Sequence, residues 1–216
     1  MFTGLIEAVG TVAELKPAAG GFRIRIRSTL APVLTPGDSL AVNGVCLTVV
    51  AVDQGEVQAD IGPETARVTT LGSLRPDQSV NLERPMAADG RVGGHFVQGH
   101  VDGTGVVDEI RPDGESHWLT ISFDRSLAPY FIRKGSVAVD GVSLTVAGLG
   151  GTVFDVMIIP FTWANTALAS VKVHDRVNLE CDMIGKYVAR AVALAEEEGR
   201  LKPAPAIQEH PYGARK

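Results

Sequence analysis

Cysteine is scarce in this chain of 216 residues: Cys46 and Cys181 are the only two. A pair so widely separated builds neither a disulfide scaffold nor a metal knuckle, and two reduced thiols are expected. Positive charge is also short. Lys and Arg number 20 against 25 Asp and Glu, a formal net charge of -5 with no basic cluster. That excludes a surface built for nucleic acid or for an anionic membrane. No apolar run approaches the roughly 20 residues that a bilayer-spanning helix needs. The opening MFTGLIEAVG lacks the basic region and apolar stretch of a secretory signal, and a cytoplasmic protein is expected. Sustained helical periodicity is missing as well, except near the end.

What the chain has instead is repetition. VNGVCLTVVAV, residues 42–52, returns as VDGVSLTVAGL, residues 139–149, at a shift of 97. The same shift lays Pro160-Phe161-Thr162 over Pro63-Glu64-Thr65, Leu168 over Leu71, and Val177-Asn178-Leu179-Glu180 over Val80-Asn81-Leu82-Glu83. Upstream the shift is 95, so that GLIEAVGTVAEL from Gly4 matches GHVDGTGVVDEI from Gly99, with two residues inserted between the blocks. The first copy is expected to run over residues 1–95 and the second over residues 96–185, with a helix and tail over residues 186–216.

Each copy reads as β structure. FRIRIR alternates strictly, with Phe22, Ile24 and Ile26 on one face and Arg23, Arg25 and Arg27 on the other, as a half-solvated antiparallel strand does. Some six short strands of this kind, punctuated by Gly, Pro, Asn and Asp, predict a small closed barrel per copy. PETARVTTLGSL and PFTWANTALASV each have room for a short helix. Val188, Ala191, Val192 and Ala195 recur at helical spacing, which predicts a helix over residues 186–198 stopped by Gly199. The Pro-rich remainder is expected to fray.

Two stretches carry candidate chemistry. In the repeated strand Val45, Leu47 and Val49 share one face while Cys46 and Thr48 share the other, and the second copy places Ser143 and Thr145 there. Small polar groups two residues apart suit contact with a ligand, and equally suit a solvated face. RVGGHFVQGHVDGTG, residues 91–105, holds five glycines and two histidines, His95 and His100, with Asp102 beyond. Histidine carries protons near neutral pH; the alternative is a crossover between barrels in which both rings are satisfied locally. The spacing does not suit a metal site, and GTG lacks the strand and helix of a dinucleotide fingerprint.

Together these motifs resemble the riboflavin synthase family over residues 1–192. MFTGLIE, NGVCLTV, GGHFVQGHVDGTG, DGVSLTV and VNLECDMIGKYV carry the likeness, in that order. The resemblance implies an all-β fold of two tandem six-stranded Greek-key barrels with a C-terminal helix that gathers three chains into a homotrimer. It implies a transferase needing no cofactor, which passes a four-carbon unit between two molecules of 6,7-dimethyl-8-ribityllumazine to give riboflavin and 5-amino-6-(D-ribitylamino)uracil. Each active site is implied to form between the first barrel of one chain and the second barrel of its neighbour. The family also admits association with lumazine synthase.

Carried across by motif, the first-barrel binding positions are Gly4, Leu5, Ile6, Ser39, Cys46, Leu47 and Thr48. They continue with Asp60, Ile61, Gly62, Pro63, Glu64 and Thr65, and Gly99, His100 and Val101 contribute. The second-barrel positions are Lys134, Ser143, Leu144 and Thr145, then Ile159, Pro160, Phe161, Thr162, Trp163 and Ala164. For catalysis the resemblance implies His100 as proton carrier, Cys46 as polar or nucleophilic aid, Ser143 in the partner pocket, and Phe2 and Thr3 closing the site. Asp182 matches an acidic position that orients the ribityl chain or relays a proton; the alternative is a plain strand-end carboxylate. Ala167 departs from the family, which more often has Thr there. A bimolecular reaction of like molecules gains from two similar pockets facing one another, and the change from Cys46 to Ser143 makes them unequal. The competing reading is a non-catalytic lumazine or flavin carrier of the antenna type, which needs one good pocket. A flavin reductase would need a further α/β domain for which no residues remain.

Overall fold

The computed structural model describes residues 1–18 and 20–200. The expected fraying of the Pro-rich tail concerns residues 201–216, which lie outside the described residues.

The first barrel is formed by β1 (Ala8–Ala18), β2 (Gly21–Arg27), β3 (Ser39–Val42), β4 (Val45–Asp53), β5 (Glu56–Ile61) and β6 (Ser79–Glu83), closed in the order β1-β2-β5-β4-β3-β6. The second uses β7 (Gly103–Asp113), β8 (Ser116–Phe123), β9 (Ser136–Val139), β10 (Val142–Leu149), β11 (Val153–Ile158) and β12 (Arg176–Cys181) in the same cyclic order. In both, the second strand pairs with the fifth and the sixth returns beside the first, a Greek-key path. Short helices, α1 (Pro63–Val68) and α2 (Pro160–Ala164), lead into each closing strand, as the sequence predicts. Proline at the start of each costs nothing, because its missing N–H would be unpaired there anyway.

Strand alternation decides the cores. Ile24 and Ile26 are buried while Arg23, Arg25 and Arg27 face out and pair with Asp60, Glu56 and Asp77. Val45, Leu47 and Val49 point into the first barrel, and Val142, Leu144 and Val146 into the second. Register shifts fall at equivalent places in both copies: between Val12 and Glu14 and between Val107 and Glu109, then between Val49 and Ala51 and between Val146 and Gly148. Such bulges bend a strand sharply, which a six-stranded sheet needs in order to close.

The barrels meet through their repeated hairpins. Asn43-Gly44 and Asp140-Gly141 both turn with positive φ, 45° and 77° in the first copy, 44° and 81° in the second, as a two-residue hairpin demands. The tips touch so closely that a Cβ on Gly44 would lie 2.7 Å from the Gly141 nitrogen, and the reverse contact is the same. Around them the Asn of each VNLE segment reaches across. Asn81 Nδ2 donates to the Asp140 carbonyl at 2.9 Å and Asn178 Nδ2 to the Asn43 carbonyl at 2.8 Å. Their Oδ1 atoms accept from Ala167 N at 2.6 Å and Thr70 N at 2.8 Å. Buried amides satisfied this fully set one relative placement of the barrels.

The C-terminal helix, α3 (Met183–Glu197), begins one turn earlier than its apolar spacing predicts. The Asp182 side chain accepts from Ile184 N at 3.0 Å and caps the first turn. Gly199 follows with φ of 68°, the expected stop. Ile184, Tyr187, Val188 and Val192 leave α3 with an exposed apolar face.

Candidate active site

The chain does not enter its own barrel directly. Residues 2–6, which run into β1, lie against β10 of the second barrel: Ser143 N donates to the Gly4 carbonyl at 2.8 Å, and Ile6 packs on the second core. Residues 97–101, which run into β7, lie against β4 of the first: Cys46 N donates to the Gly99 carbonyl at 2.9 Å, and Val101 packs on the first core. The two segments also pair with each other, Phe2 opposite Val97. Gly4, which the resemblance assigns to the first-barrel positions together with Leu5 and Ile6, thus lies beside Ser143 of the second barrel. The motif order could not reveal this exchange, because adjacency in sequence suggested that each copy keeps its own leading segment.

Gly4 and Gly99 are needed at the crossings. Their φ values are 74° and 83°, and a Cβ would come within 2.8 Å of Ser143 N and 2.9 Å of Cys46 N respectively. Phe2 is fully buried with Ala41, Val97, Ala138 and the flank of Cys46. Thr3 is likewise buried.

On the outer face of β4, Cys46 is half-buried and Thr48 exposed, with Ser39 paired across from Thr48. On β10, Ser143 is half-buried and Thr145 exposed. Leu47, Ile61 and Leu144 point into the cores, so their backbones alone face outward. The decisive difference between the copies is at Ser143, whose Oγ lies 2.7 Å from His95 Nδ1. His95 is buried, and burial pushes its pKa below the ordinary imidazole value while the nearby Asp182 charge pulls the other way. The ring is thus held neutral at pH 7, and its Nε2 has no partner among the described residues. His100, the expected proton carrier, is exposed, with its backbone N–H held by Glu180 at 3.0 Å. The sequence offered both histidines; only the exchange of segments decides which one meets Ser143 within a chain.

The loop residues are arranged less evenly. Asp60 is held by Arg23 at 2.7 and 2.9 Å, which lowers its pKa, and Glu64 is paired to Arg67, so both carboxylates are engaged. Gly62 and Pro63 are exposed, and the Thr65 carbonyl accepts from the Thr69 hydroxyl at 2.6 Å at the end of α1. In the second copy Ile159 and Phe161 are open to solvent, Phe161 at 73%. Pro160 and Ala164 are exposed too, the Thr162 carbonyl accepts from Thr166, and Trp163 stacks on His117 with centroids 3.9 Å apart. Lys134 sits at φ of 67° with its N–H on Val146 O at 2.8 Å, the same turn that Gly37 makes in the first copy. A lysine at a left-handed position costs about 1 kcal/mol relative to glycine.

Among the described residues, these do not close a pocket within one chain. A cleft of about 610 Å³ includes Thr3, Leu5 and Ser39 with Arg84, Met86 and Arg91, but Thr48, Thr145, Ile159 and Phe161 remain on open faces. Of the two thiols, Cys181 is buried with its pKa pushed up to about 12, chiefly by desolvation, and is inert. Cys46 is the accessible one.

A lumazine-binding domain model matches residues 3–85 and again residues 98–182. The double barrel is similar to LumP complexed with riboflavin, TM-score 0.79 at 22% identity over 84% of this chain and 99% of that one, and to LumP complexed with 6,7-dimethyl-8-(1'-D-ribityl) lumazine, TM-score 0.77. Those identities speak for the fold, a tandem pair of lumazine-binding barrels. The riboflavin synthase of Bacillus subtilis is 42% identical over 198 residues, covering 91% of this chain and 92% of its own. That of Actinobacillus pleuropneumoniae is 46% identical over 189 residues, 87% and 88%. That of Mycobacterium tuberculosis is 46% identical over 205 residues, 90% and 100%. The chain belongs to the riboflavin synthase family, and it is an enzyme rather than an antenna-type carrier.

Proposed function

We propose that the protein is a transferase converting two molecules of 6,7-dimethyl-8-ribityllumazine to riboflavin and 5-amino-6-(D-ribitylamino)uracil, with one lumazine on each barrel. The observation that carries this reading is the pair of equivalent crossings, Gly99 on Cys46 and Gly4 on Ser143, which build two like walls with unlike polar groups. Likeness lets both barrels grip the same ring system. Unlikeness lets one guest lose a proton while the other accepts a nucleophile, as a dismutation requires. Ser143 and the neutral His95 form a hydrogen-bonded pair able to take up a proton on the second-barrel side. Cys46 and Thr48 supply a thiol and a hydroxyl on the first-barrel side.

In this reading the two walls come from different chains of a homotrimer held by the apolar face of α3, and His100 reaches the neighbour's guest. The exposure of Phe161, Ile159 and Leu5 supports it, since large apolar side chains beside a binding face are usually covered by a partner. The enzyme acts in the cytoplasm.

Incubated with the lumazine alone, without metal or nucleotide, the protein should form riboflavin, two lumazines vanishing for each riboflavin made. Binding without turnover would return the carrier reading. His100→Ala should lower kcat by about 10²-fold or more, as loss of a general acid or base does, with KM within about threefold. Unchanged kcat would remove His100 from the chemistry.

A further inference from the structure

Glu83 and Glu180 occupy equivalent places near the ends of β6 and β12, and both are almost wholly buried, 4% and 2% exposed. A buried carboxylate has to recover its lost hydration, and here backbone N–H groups provide the replacement. Glu83 Oε1 accepts from Thr3 N at 2.6 Å and Thr3 Oγ at 2.8 Å, and Oε2 from Gly4 N at 3.0 Å. Glu180 Oε1 accepts from Gln98 N at 2.6 Å, and Oε2 from Gly99 N and His100 N, both at 3.0 Å.

What they hold does not stay with their own barrel. The Thr3–Gly4 backbone fixed by Glu83 is the stretch whose carbonyl accepts from Ser143 N, and the Thr3 carbonyl also accepts from His95 N at 3.2 Å. The stretch fixed by Glu180 is the one whose carbonyl accepts from Cys46 N. We propose that the two glutamates are crossed positioning residues: Glu83, on the first barrel, sets the lumazine-binding wall of the second, and Glu180, on the second barrel, sets that of the first. The inference rests on the two-guest reading above and says which residue organises which guest's site. Charge is part of the device. A carboxylate takes several N–H donors at once, whereas a carboxamide takes them on one oxygen and turns its own NH₂ against the rest. Burial raises both pKa values and the N–H bonds pull them back down, so the clamp loosens when either group is protonated.

A glutamate that merely capped a strand end would disturb both sites alike or neither. The chain permits a test because its two tryptophans, Trp118 and Trp163, are both in the second copy. In a Trp118→Phe background, quenching of Trp163 by added riboflavin reports the second-barrel site, and equilibrium dialysis with riboflavin reports both. Glu83→Gln should weaken the Trp163 titration about tenfold, the effect of losing one charge-assisted hydrogen bond, and spare the riboflavin that Trp163 does not sense. Glu180→Gln should leave the Trp163 titration within about twofold of its parent and remove the other riboflavin instead. Should a Gln variant not fold, the Asp variants, shorter by one methylene and still charged, should give the same crossed pattern. Equal effects on both sites, or each glutamate acting on its own barrel, would overturn the inference while leaving the two-guest reading intact. A parent protein that binds no riboflavin would overturn the two-guest reading itself, and the crossed assignment with it.

Discussion

Removing residues 187–216 should leave a monomer whose turnover at micromolar concentration is about 10³-fold below that of the full chain, although each barrel still binds ligand. The cut keeps the Asp182 cap and the ion pair between Lys186 and Asp102 at 2.7 Å, so the second barrel and the Gly99–Asp102 stretch keep their support. What is lost is most of the apolar face of α3, with Tyr187, Val188, Val192 and Leu194. The magnitude follows from concentration: walls joined in one assembly meet at effective concentrations of about 1 mM, and separate chains meet only at their bulk concentration. Sedimentation velocity and the riboflavin assay check the two halves of the expectation. Full turnover by a monomer would show that one chain brings its own two walls together.

Asp140→Asn should stabilise the protein at pH 8 by roughly 2–4 kcal/mol, judged from the pKa displacement. Asp140 is buried, and desolvation raises its pKa from 3.8 to about 7, with the Asp175 charge adding to the effect. In the unfolded chain the group ionises near its ordinary value, whereas in the folded chain it keeps its proton until near neutrality. Folding therefore takes up a proton between those values, and stability falls as pH rises from about 4 to about 7, then levels. Asparagine removes the dependence without removing the bond: Asp140 Oδ1 accepts from Asn178 N at 2.8 Å, and Asn43 Oδ1 already accepts from Asn81 N at 2.7 Å in the other copy. Denaturant unfolding from pH 4 to pH 8 should show the variant and parent converging at the acid end. A constant difference across that range would mean that Asp140 does not titrate there.

The repeat, the strand positions and the inward and outward faces were legible in the chain because each depends on nearby residues. FRIRIR writes its own alternation, Asn-Gly and Asp-Gly write their own turns, and the two shifts of 95 and 97 place the copies. The family and its reaction followed from motifs that need only be read in order. The start of α3 was misplaced by a turn because its cap, Asp182, carries no helical periodicity.

The exchange of leading segments was beyond such reading. Nothing in MFTGLIE states that Gly4 will pack on Ser143 rather than on Cys46; the choice is made where two hairpin tips touch and the buried amides of Asn81 and Asn178 admit one placement of the barrels. The same placement buries His95 against Ser143 and leaves His100 in the open, though the chain presents them as near equals. By itself, then, the sequence determined which barrels form and which faces they turn to solvent, because local periodicity and turn geometry suffice for that. Tertiary structure decided which barrel receives which segment, because that depends on satisfying buried polar groups between residues 79 to 86 apart in the chain.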